Sequence, residues 1–352
     1  MRLWTPAMIS ARLPHPDRPA RLAVSLARAT VTVALLGLGV LAAPGCKKSG
    51  TDASGSAAPA AGTYRFAFVT NNSSDFWNIA EKGLRKAERD FAVKVDMFRP
   101  LKGEIADQQR FLEDIMVQSF DGVAISPINP DAMTGTFEKV AAKMPLVCDD
   151  SDAPKSKRSV YVGTNNVEAG RAAGAAAIEA LKAAKLTKGK IAIFVGRIDM
   201  QNAIDRKQGV DETLGKLPGF EILPVYLDKT DRALAKKNVE DALARYPDLA
   251  LLMGLWSYNG PCMAGAVRAS SRTEKPVMIT FDEEEETLKA VQDGMIFATI
   301  VQRPFQFGYQ SVKALKDLKD GKTVPPVVDT GILTVKKENV AQFWSELREL
   351  KK

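Results

Sequence analysis

The sequence predicts an α/β protein of two lobes, each built around a parallel sheet. Short strand-like runs alternate with helical stretches of about 12–18 residues, and this order produces parallel sheets. The alternation forms two series, the second of which begins at Ile191–Val195, and each series is long enough for one open α/β sheet. The 352 residues exceed one small domain and suffice for two medium ones.

The first series opens with a strand at Arg65–Thr70 and continues into a helix. The helix is predicted because apolar and small residues recur at helical spacing from Phe76 to Phe91. Val93–Phe98 alternates in polarity and predicts the next strand. The rest of this series comprises strands at Gly122–Ser126, Pro145–Cys148 and Val160–Val162, with helices near residues 104–119 and 131–143.

The second series repeats this order of strands and helices. Its strands are predicted at Ile191–Val195, 221–227, Leu249–Met253, Val277–Phe281 and Ile296–Val301. Its helices are predicted near residues 201–216, 231–245, 262–271 and 284–293. The chain then ends in an amphipathic helix over Lys337–Lys352, whose packing face consists of Val340, Phe343, Trp344 and Leu347.

The first 46 residues have the features of an export signal. Five arginines precede an apolar stretch of 14 residues, Thr30–Ala43, and a membrane-spanning helix needs about 20. The stretch ends at Ala43-Pro44-Gly45-Cys46. This ending resembles a bacterial lipobox, so lipidation of Cys46 is predicted, with simple cleavage and a retained anchor as the alternatives. Residues 47–63 contain no large apolar side chain and predict a flexible tether.

Composition excludes several classes of function. The formal charge of +7 includes +4 from residues 1–46, so the remaining 44 basic and 41 acidic residues give only +3 and do not favour nucleic acid as a partner. The single histidine, His15, lies in the signal segment. The body therefore has no histidine for a catalytic triad or a metal site, and no metal or other cofactor is predicted.

Polar and aromatic residues cluster where the predicted strands end. Ligands of open α/β sheets bind beyond the carboxyl ends of the strands. Asp150, Asn259, Asp282 and Gln302 all follow strands in this way, as do several aromatic residues. Planar polar groups bond to hydroxyls while aromatic faces cover C–H surfaces, so a polyhydroxyl ligand is predicted.

Seven segments resemble the periplasmic sugar-binding proteins of the ribose-binding type, which serve ABC importers. They are FVTNNSSDFW, SFDGVAISPINPDA, GTNNVEAGRAAG, DRKQGV, LWSYNGPCMAGA, VMITFD and ATIVQRPFQFGYQSV. The resemblance implies two Rossmann-like lobes joined by a three-crossover hinge, near Thr164–Asn165, Gln302–Arg303 and Asp329–Gly331. The lobes would then comprise residues 64–164 with 303–329, and residues 165–302 with 330–352.

The resemblance also implies which residues bind the sugar. These are Ser74, Phe76, Trp77, Asp150, Arg206, Asn259, Asp282 and Gln302. The family's arginine after the first aspartate is replaced by Ser151, and its aromatic residue in the second lobe gives way to Asp228-Lys229-Thr230. Trp256 and Tyr258 are predicted to supply the missing aromatic surface, and these departures argue against ribose itself.

Some of these residues also have purely structural interpretations. Phe76 lies on the apolar stripe of its helix, whereas Trp77 lies about 100° away, which favours exposure to the cleft. Asp149 is predicted to cap a helix or face solvent. Glu283–Glu286 is predicted to form a solvated first turn, with Asp282 alone turned inward. Cys148 and Cys262 are predicted to be buried thiols rather than a disulfide.

The predicted protein is a monomeric, extracytoplasmic solute-binding protein and not an enzyme. It would bind a monosaccharide or related polyol between the lobes and deliver it to the membrane subunits of an ABC permease. One alternative is a sensing module for a chemoreceptor or histidine kinase. Another is a ligand that carries a cation, such as an amino sugar, because the predicted site has more carboxylates than cations. A sugar-responsive transcription regulator is disfavoured, since residues 1–63 offer a signal and tether in place of a helix-turn-helix.

Overall fold

The computed structural model describes residues 63–101 and 103–351, all of which belong to one compact unit. The predicted signal segment, Cys46 and the tether up to residue 62 lie outside the described residues. The strands are β1 (Arg65–Val69), β2 (Lys94–Phe98), β3 (Gly122–Ile125), β4 (Leu146–Asp149), β5 (Val160–Gly163), β6 (Gly189–Val195), β7 (Phe220–Ile222), β8 (Tyr226–Leu227), β9 (Leu249–Gly254), β10 (Val277–Phe281), β11 (Ala298–Val301), β12 (Val327–Asp329) and β13 (Leu333–Lys336). The helices are α1 (Phe76–Phe91), α2 (Ile105–Val117), α3 (Pro130–Ala141), α4 (Asn166–Ala183), α5 (Gln201–Leu214), α6 (Arg232–Arg245), α7 (Asn259–Ala269), α8 (Glu285–Gln292), α9 (Pro304–Lys319) and α10 (Val340–Lys351).

The strands form two sheets. The first sheet has six strands in the order β12-β5-β4-β3-β1-β2, all parallel. The second has seven strands, in the order β13-β11-β10-β9-β6-β7 with β8 also paired to β6, and only β13 runs antiparallel to its neighbour. The predicted α/β class with two parallel sheets is confirmed.

The chain passes between the sheets at three places. It leaves the first sheet after Gly163, returns after Val301 and leaves again after Asp329. Each passage is short, because the next strand or helix begins within a few residues. The two sheets are therefore tied together side by side by three segments.

The element prediction joins two strands into one and lacks four elements of the structure, α4, α9, β12 and β13. The predicted strand at 221–227 is divided into β7 and β8, and Pro224 between them has no N–H for a continuous ladder. Periodicity also missed α4, whose buried face consists mainly of alanine and glycine and so has no stripe of large apolar residues. The C-terminal helix forms as predicted, with Val340 and Leu347 buried and Phe343 and Trp344 partly buried.

Paired glycines let two pairs of helices touch backbone to backbone. A Cβ atom on Gly308 of α9 would lie 2.2 Å from the Ala80 carbonyl oxygen of α1. In the other pair, a Cβ on Gly170 of α4 would lie 2.1 Å from the carbonyl oxygen of Arg206 on α5. The second crossing therefore fixes the backbone that carries Arg206.

None of the helices among the described residues is long and apolar enough to cross a bilayer.

We expect Gly308→Ala to lower the midpoint of thermal unfolding, because overpacking a close contact costs about 1–3 kcal/mol. Gly135→Ala is the matched control, since a Cβ there meets nothing within 4 Å, and removing a mid-helix glycine stabilises by about 0.5–1 kcal/mol. Circular dichroism melts of both variants test this. Equal midpoints would show that the close approach of α1 and α9 is not required.

Candidate ligand-binding site

One cavity lies where strands of both sheets end. It is lined by Asn71, Asn72, Ser74, Phe76, Trp77, Asp150, Asn202, Arg206, Trp256, Ser257, Tyr258, Asp282 and Gln302. The structure thus brings together eight of the nine ligand-binding residues predicted from the sequence, together with Tyr258. Their common position after strand ends follows from the parallel order of both sheets.

Asp150 contributes a buried carboxylate from the end of the first sheet. One of its oxygens accepts hydrogen bonds from the Asn71 amide at 3.0 Å, the Ser126 hydroxyl at 2.8 Å and the Asn202 amide at 3.3 Å. Burial raises the pKa of Asp150, while the charge of Arg206 and these donors oppose the rise. The bond from Asn202 joins the ends of the two sheets, because Asn202 lies on α5 after β6 of the second sheet and Asp150 follows β4 of the first.

Asp282 occupies the corresponding position after β10 of the second sheet. Its carboxylate accepts a hydrogen bond from the side-chain amide of Gln302 at 3.0 Å. The net pKa of Asp282 is raised to about 6: burial raises it most, the charge of Arg206 and the Gln302 bond oppose the rise, and the charge of Asp150 adds to it. The charge of Asp150 therefore acts on Asp282, and the charge of Arg206 acts on both carboxylates.

Both aspartates adopt a left-handed backbone conformation, with φ of 55° at Asp150 and 66° at Asp282. Each donates its backbone N–H to the adjacent strand, Asp150 to Val162 and Asp282 to Ile300. Aspartate tolerates this conformation better than most residues. At each aspartate this conformation turns the backbone away from the strand, and both side chains line the cavity.

Arg206 is 1% exposed, and its charge acts on the pKa of both Asp150 and Asp282. Its Nε donates to Asn166 at 2.9 Å and its Nη1 to the Leu255 carbonyl at 2.6 Å. Its guanidinium stacks over the Phe281 ring, 4.4 Å from the centroid. Neutral acceptors and an aromatic face therefore orient the cation, and Arg206 forms no salt bridge with any residue that the structure describes.

Two aromatic pairs form apolar walls. Phe76 and Trp77 meet edge to face with centroids 5.2 Å apart, and the Trp77 indole N–H donates to Asn71 at 3.2 Å. Trp256 and Tyr258 meet in the same manner at 6.2 Å. The prediction that Trp77 is exposed is wrong, since it is 1% exposed, but it does line the cavity.

Four buried polar atoms of the lining have no hydrogen-bond partner within the described ranges. Two are donors, Nη2 of Arg206 and Nε1 of Trp256, and two are acceptors, Oδ1 of Asn202 and Oε1 of Gln302. A buried polar atom without a partner costs about 1–3 kcal/mol. The four atoms together match a ligand that both donates and accepts.

Asn259 does not line the cavity, although the family resemblance implied that it would. It is 1% exposed and its side chain is used within the protein: its amide donates to Asp228 at 3.1 Å and its oxygen accepts the Trp256 backbone N–H at 3.0 Å. As the first residue of α7, it points back to the loop that precedes the helix.

Two carboxylates are buried, although Asp149 was predicted to cap a helix or face solvent and Glu283 to lie in a solvated turn. Asp149 is fully buried, and neither of its oxygens has a partner in the described part of the chain. Burial and then the charge of Asp150 raise its pKa well above the ordinary value. Glu283 is 4% exposed, so the run of glutamates is only partly a solvated turn. The two cysteines are free and buried, as predicted.

Sequence reasoning did not select four of the lining residues: Asn71, Asn72, Asn202 and Ser257. Tyr258 was predicted only as a source of aromatic surface. Asn71 and Asn72 directly follow β1, so the strand-end rule pointed to them. Asn202 lies four residues before Arg206 and therefore on the same helix face, which is a signal that the sequence did contain.

The geometry can be compared with known proteins. The profile of the periplasmic binding protein domain matches residues 66–323. The D-allose-binding periplasmic protein of Escherichia coli K12 is 25% identical over 263 residues, which are 72% of this chain and 84% of that protein. An ABC transporter solute-binding protein from Burkholderia graminis, solved in complex with D-arabinose, is 28% identical with a TM-score of 0.74, over 78% of this chain and 96% of its own. AraP, an arabinose-binding protein from Geobacillus stearothermophilus, is 31% identical with a TM-score of 0.66, over 80% of this chain and 99% of its own.

We expect Asp282→Asn to stabilise the ligand-free protein at pH 7 and to have less effect at pH 4. Since the pKa of Asp282 is raised from 3.8 to about 6, the folded protein binds more protons than the unfolded chain between these values. Its free energy of unfolding therefore falls as pH rises through this window. Asparagine carries no charge, so the free energy of unfolding of the Asp282→Asn variant does not fall for this reason as the pH rises.

Thermal midpoints between pH 4 and 7.5 measure the difference from the native protein. Asp293→Asn is the control, because it makes the same substitution at an exposed carboxylate that follows α8 and does not line the cavity. A constant difference for Asp282→Asn across the range would contradict the assigned shift.

Proposed function

Because the chain belongs to the periplasmic binding protein family, as a type I sugar-binding protein of ABC transporters, we propose that it binds a monosaccharide in the described cavity. The bound sugar would then be delivered to the membrane subunits of an ABC importer. The relatives are binding proteins, and the proposed role requires capture and release without any chemical step.

The observation that carries the proposal is the set of four unpartnered polar atoms in the cavity. Arg206 and Trp256 offer donors, while Asn202 and Gln302 offer acceptors. A sugar hydroxyl both donates and accepts, so adjacent hydroxyls on one ring can satisfy donors and acceptors together. The buried carboxylates of Asp150 and Asp282 add strong acceptors, and a hydrogen bond to a charged group contributes about 1.5–3 kcal/mol net.

The aromatic walls fit the other half of a sugar's surface. A pyranose or furanose ring presents C–H groups on its faces, and aromatic rings cover such surfaces while polar groups fix orientation at the edges. Phe76 and Trp77 follow the first sheet, and Trp256 and Tyr258 follow the second. We propose that the ring of the sugar lies between these two pairs.

Charge outside the cavity opposes anionic ligands. An adjoining groove shares Phe76, Ser257 and Asp282 with the cavity. It is further lined by the carboxylates of Asp75 and Glu283–Glu286, against the cations of Arg232 and Lys289. A cleft with this excess of negative charge repels phosphates and carboxylates, so an uncharged sugar is the ligand we propose.

The relatives support a monosaccharide or a related polyol. One binds D-allose, one was solved with D-arabinose and one binds arabinose. These sugars differ in size and in the orientation of single hydroxyls. The relatives therefore indicate the class of the ligand and leave its identity to binding measurements.

Hinge closure is the proposed mechanism. We propose two lobes, residues 64–164 with 303–329 and residues 165–302 with 330–352, that open about the three passages between the sheets. The contacts of Asn202 with Asp150 and of Asn129 with Asp199, at 3.3 and 2.9 Å, link these lobes in the closed arrangement. A sugar that bonds to both lobes stabilises the closed state and shifts the population toward it.

The family implies an extracytoplasmic location. We propose in addition that Cys46 is lipidated and that residues 47–63 hold the sugar-binding part away from the membrane. A lipid anchor keeps the protein near its permease in the plane of the membrane. Loss of membrane association in a Cys46→Ala variant, measured by detergent partitioning, would support this proposal.

Binding of aldoses to the mature protein is the direct test. Isothermal titration with a panel that includes D-allose, D-arabinose and an anionic sugar acid should give binding of a neutral aldose only. Arg206→Lys and Asp282→Asn should each weaken that binding at least about thirtyfold, because truncating one side of a buried charged hydrogen bond costs about 2–5 kcal/mol. Binding of the sugar acid alone would contradict the proposal.

Matched controls separate loss of the site from loss of the fold. Arg268→Lys and Asp293→Asn change the same residue types at exposed positions, and we expect both to bind as the native protein does. Unchanged affinity in Arg206→Lys and Asp282→Asn would show that the cavity is not the binding site.

Closure predicts a change of shape on binding. We expect saturating sugar to lower the radius of gyration measured by small-angle X-ray scattering. Asn129→Ala should weaken binding modestly, because the exposed bond from its amide to Asp199 forms only in the closed state. It should also lower the stability of the protein, because the Asn129 oxygen caps α3 by accepting the Ala132 backbone N–H at 2.9 Å. A radius of gyration that is the same with and without bound sugar would contradict hinge closure.

A further inference from the structure

We infer that Asp228 is a positioning residue that fixes the aromatic wall of Trp256 and Tyr258 and thereby determines which sugars fit. This inference rests on the proposed function. Asp228 directly follows β8 and is fully buried, yet it does not line the cavity. Any effect that it has on a ligand must therefore pass through the residues that it holds.

Three donors converge on the Asp228 carboxylate. One oxygen accepts the Tyr258 hydroxyl and, at 3.0 Å, the Thr230 backbone N–H. The other oxygen accepts the Asn259 side-chain amide at 3.1 Å. No Lys or Arg forms a salt bridge with it among the residues that the structure describes, so these neutral donors are what stabilises a buried carboxylate at this position.

Asn259 transmits this anchor to Trp256. Its side-chain oxygen accepts the Trp256 backbone N–H at 3.0 Å, and its own backbone N–H donates to the Trp256 carbonyl at 3.1 Å. Both polar groups of the Trp256 backbone are thus bound to one residue that Asp228 holds. The direction of the Trp256 indole N–H, one of the four unpartnered atoms of the cavity, depends on this chain of bonds.

Tyr258 is restricted to an apolar role by the same carboxylate. Its hydroxyl is used by Asp228, so it offers the cavity its ring and not a donor. The ring packs edge to face on Trp256. Asp228 therefore sets the position of one aromatic ring directly and of the other through Asn259.

The backbone around Asp228 is strained in a manner that requires this carboxylate. Lys229 and Thr230 both have left-handed conformations, with φ of 55° and 67°, and a β-branched residue such as threonine rarely adopts one. The bond from the Thr230 N–H to Asp228 stabilises the turn. Strain of this kind persists where surrounding structure fixes it, which occurs often at ligand sites.

Gly196 packs closely against Trp256 and Tyr258. A Cβ atom on Gly196 would lie 2.1 Å from Cζ3 of Trp256 and 2.5 Å from the Tyr258 hydroxyl. The two rings are therefore held between the Gly196 backbone and the Asp228 anchor. Because their position is fixed from both sides, the wall discriminates between sugars by size instead of adapting to them.

The experiment compares Asp228→Ala, Asp228→Asn and Asp231→Ala in the mature protein. Asp231 caps α6 by accepting the backbone N–H groups of Ala233 and Leu234 at 2.8 and 3.0 Å. Its loss lowers stability in the same loop without touching the wall, which makes it the matched control. Asparagine retains an oxygen for Tyr258 but leaves one of the other donors unpaired, so it should rescue the alanine variant in part.

Two measurements are made on each variant. The first is the ¹⁹F resonance of Trp256 in protein labelled with 5-fluorotryptophan, assigned by Trp256→Phe, with Trp344 on α10 as the internal reference. The second is the ratio of affinities for a pentose and a hexose, D-arabinose and D-allose. A pocket distinguishes ligands that differ by a small carbon group by about 10–200-fold.

We expect Asp228→Ala to shift or broaden the Trp256 resonance alone and to change the affinity ratio by about tenfold or more. Asp231→Ala should leave both unchanged. An unmoved Trp256 resonance in Asp228→Ala would overturn the positioning role, and equal loss for both sugars would overturn its effect on specificity. If the native protein binds neither sugar while Trp256 still responds, the proposed function fails and the positioning role stands.

Discussion

The pair of buried carboxylates, Asp150 and Asp282, is the constraint on which the rest of the site depends. Two negative charges that share one guanidinium are unfavourable in a closed interior. Their surroundings compensate by supplying amide and hydroxyl donors and by orienting Arg206 with neutral acceptors. The close crossing of α4 and α5 at Gly170 is part of this arrangement, because it fixes the backbone of Arg206.

The two sheets position their buried aspartates, Asp150 and Asp282, in the same way. In each, an aspartate leaves its strand with a positive φ and donates its N–H to the neighbouring strand. In each, two helices cross at a pair of glycines, α1 with α9 and α4 with α5. The similarity follows from topology, since both halves are parallel sheets whose functional groups must leave at the carboxyl end.

The sequence was sufficient for the class of fold and for most of the cavity. Alternation of strands and helices identified both sheets, and the strand-end rule with the family resemblance identified residues such as Asp150, Arg206 and Asp282. What it could not reveal is the direction of a side chain within a turn. Asn259 and Trp256 are three residues apart, yet one supports the loop and the other lines the cavity. Burial of Asp149 likewise depends on the helices that cover it, which no local pattern records.

The hydrogen bond from Asn202 to Asp150 has a consequence for the timing of uptake. The amide occupies an acceptor position that an incoming hydroxyl would also seek, so the protein contains its own competitor for the ligand. Because a ligand hydroxyl must displace the Asn202 amide, the bond that it forms with Asp150 adds less to the free energy of binding. When the ligand leaves, the amide again donates to the Asp150 carboxylate. If the protein delivers a sugar to an importer as proposed, the same amide would replace the departing hydroxyl at Asp150 and so favour release of the sugar.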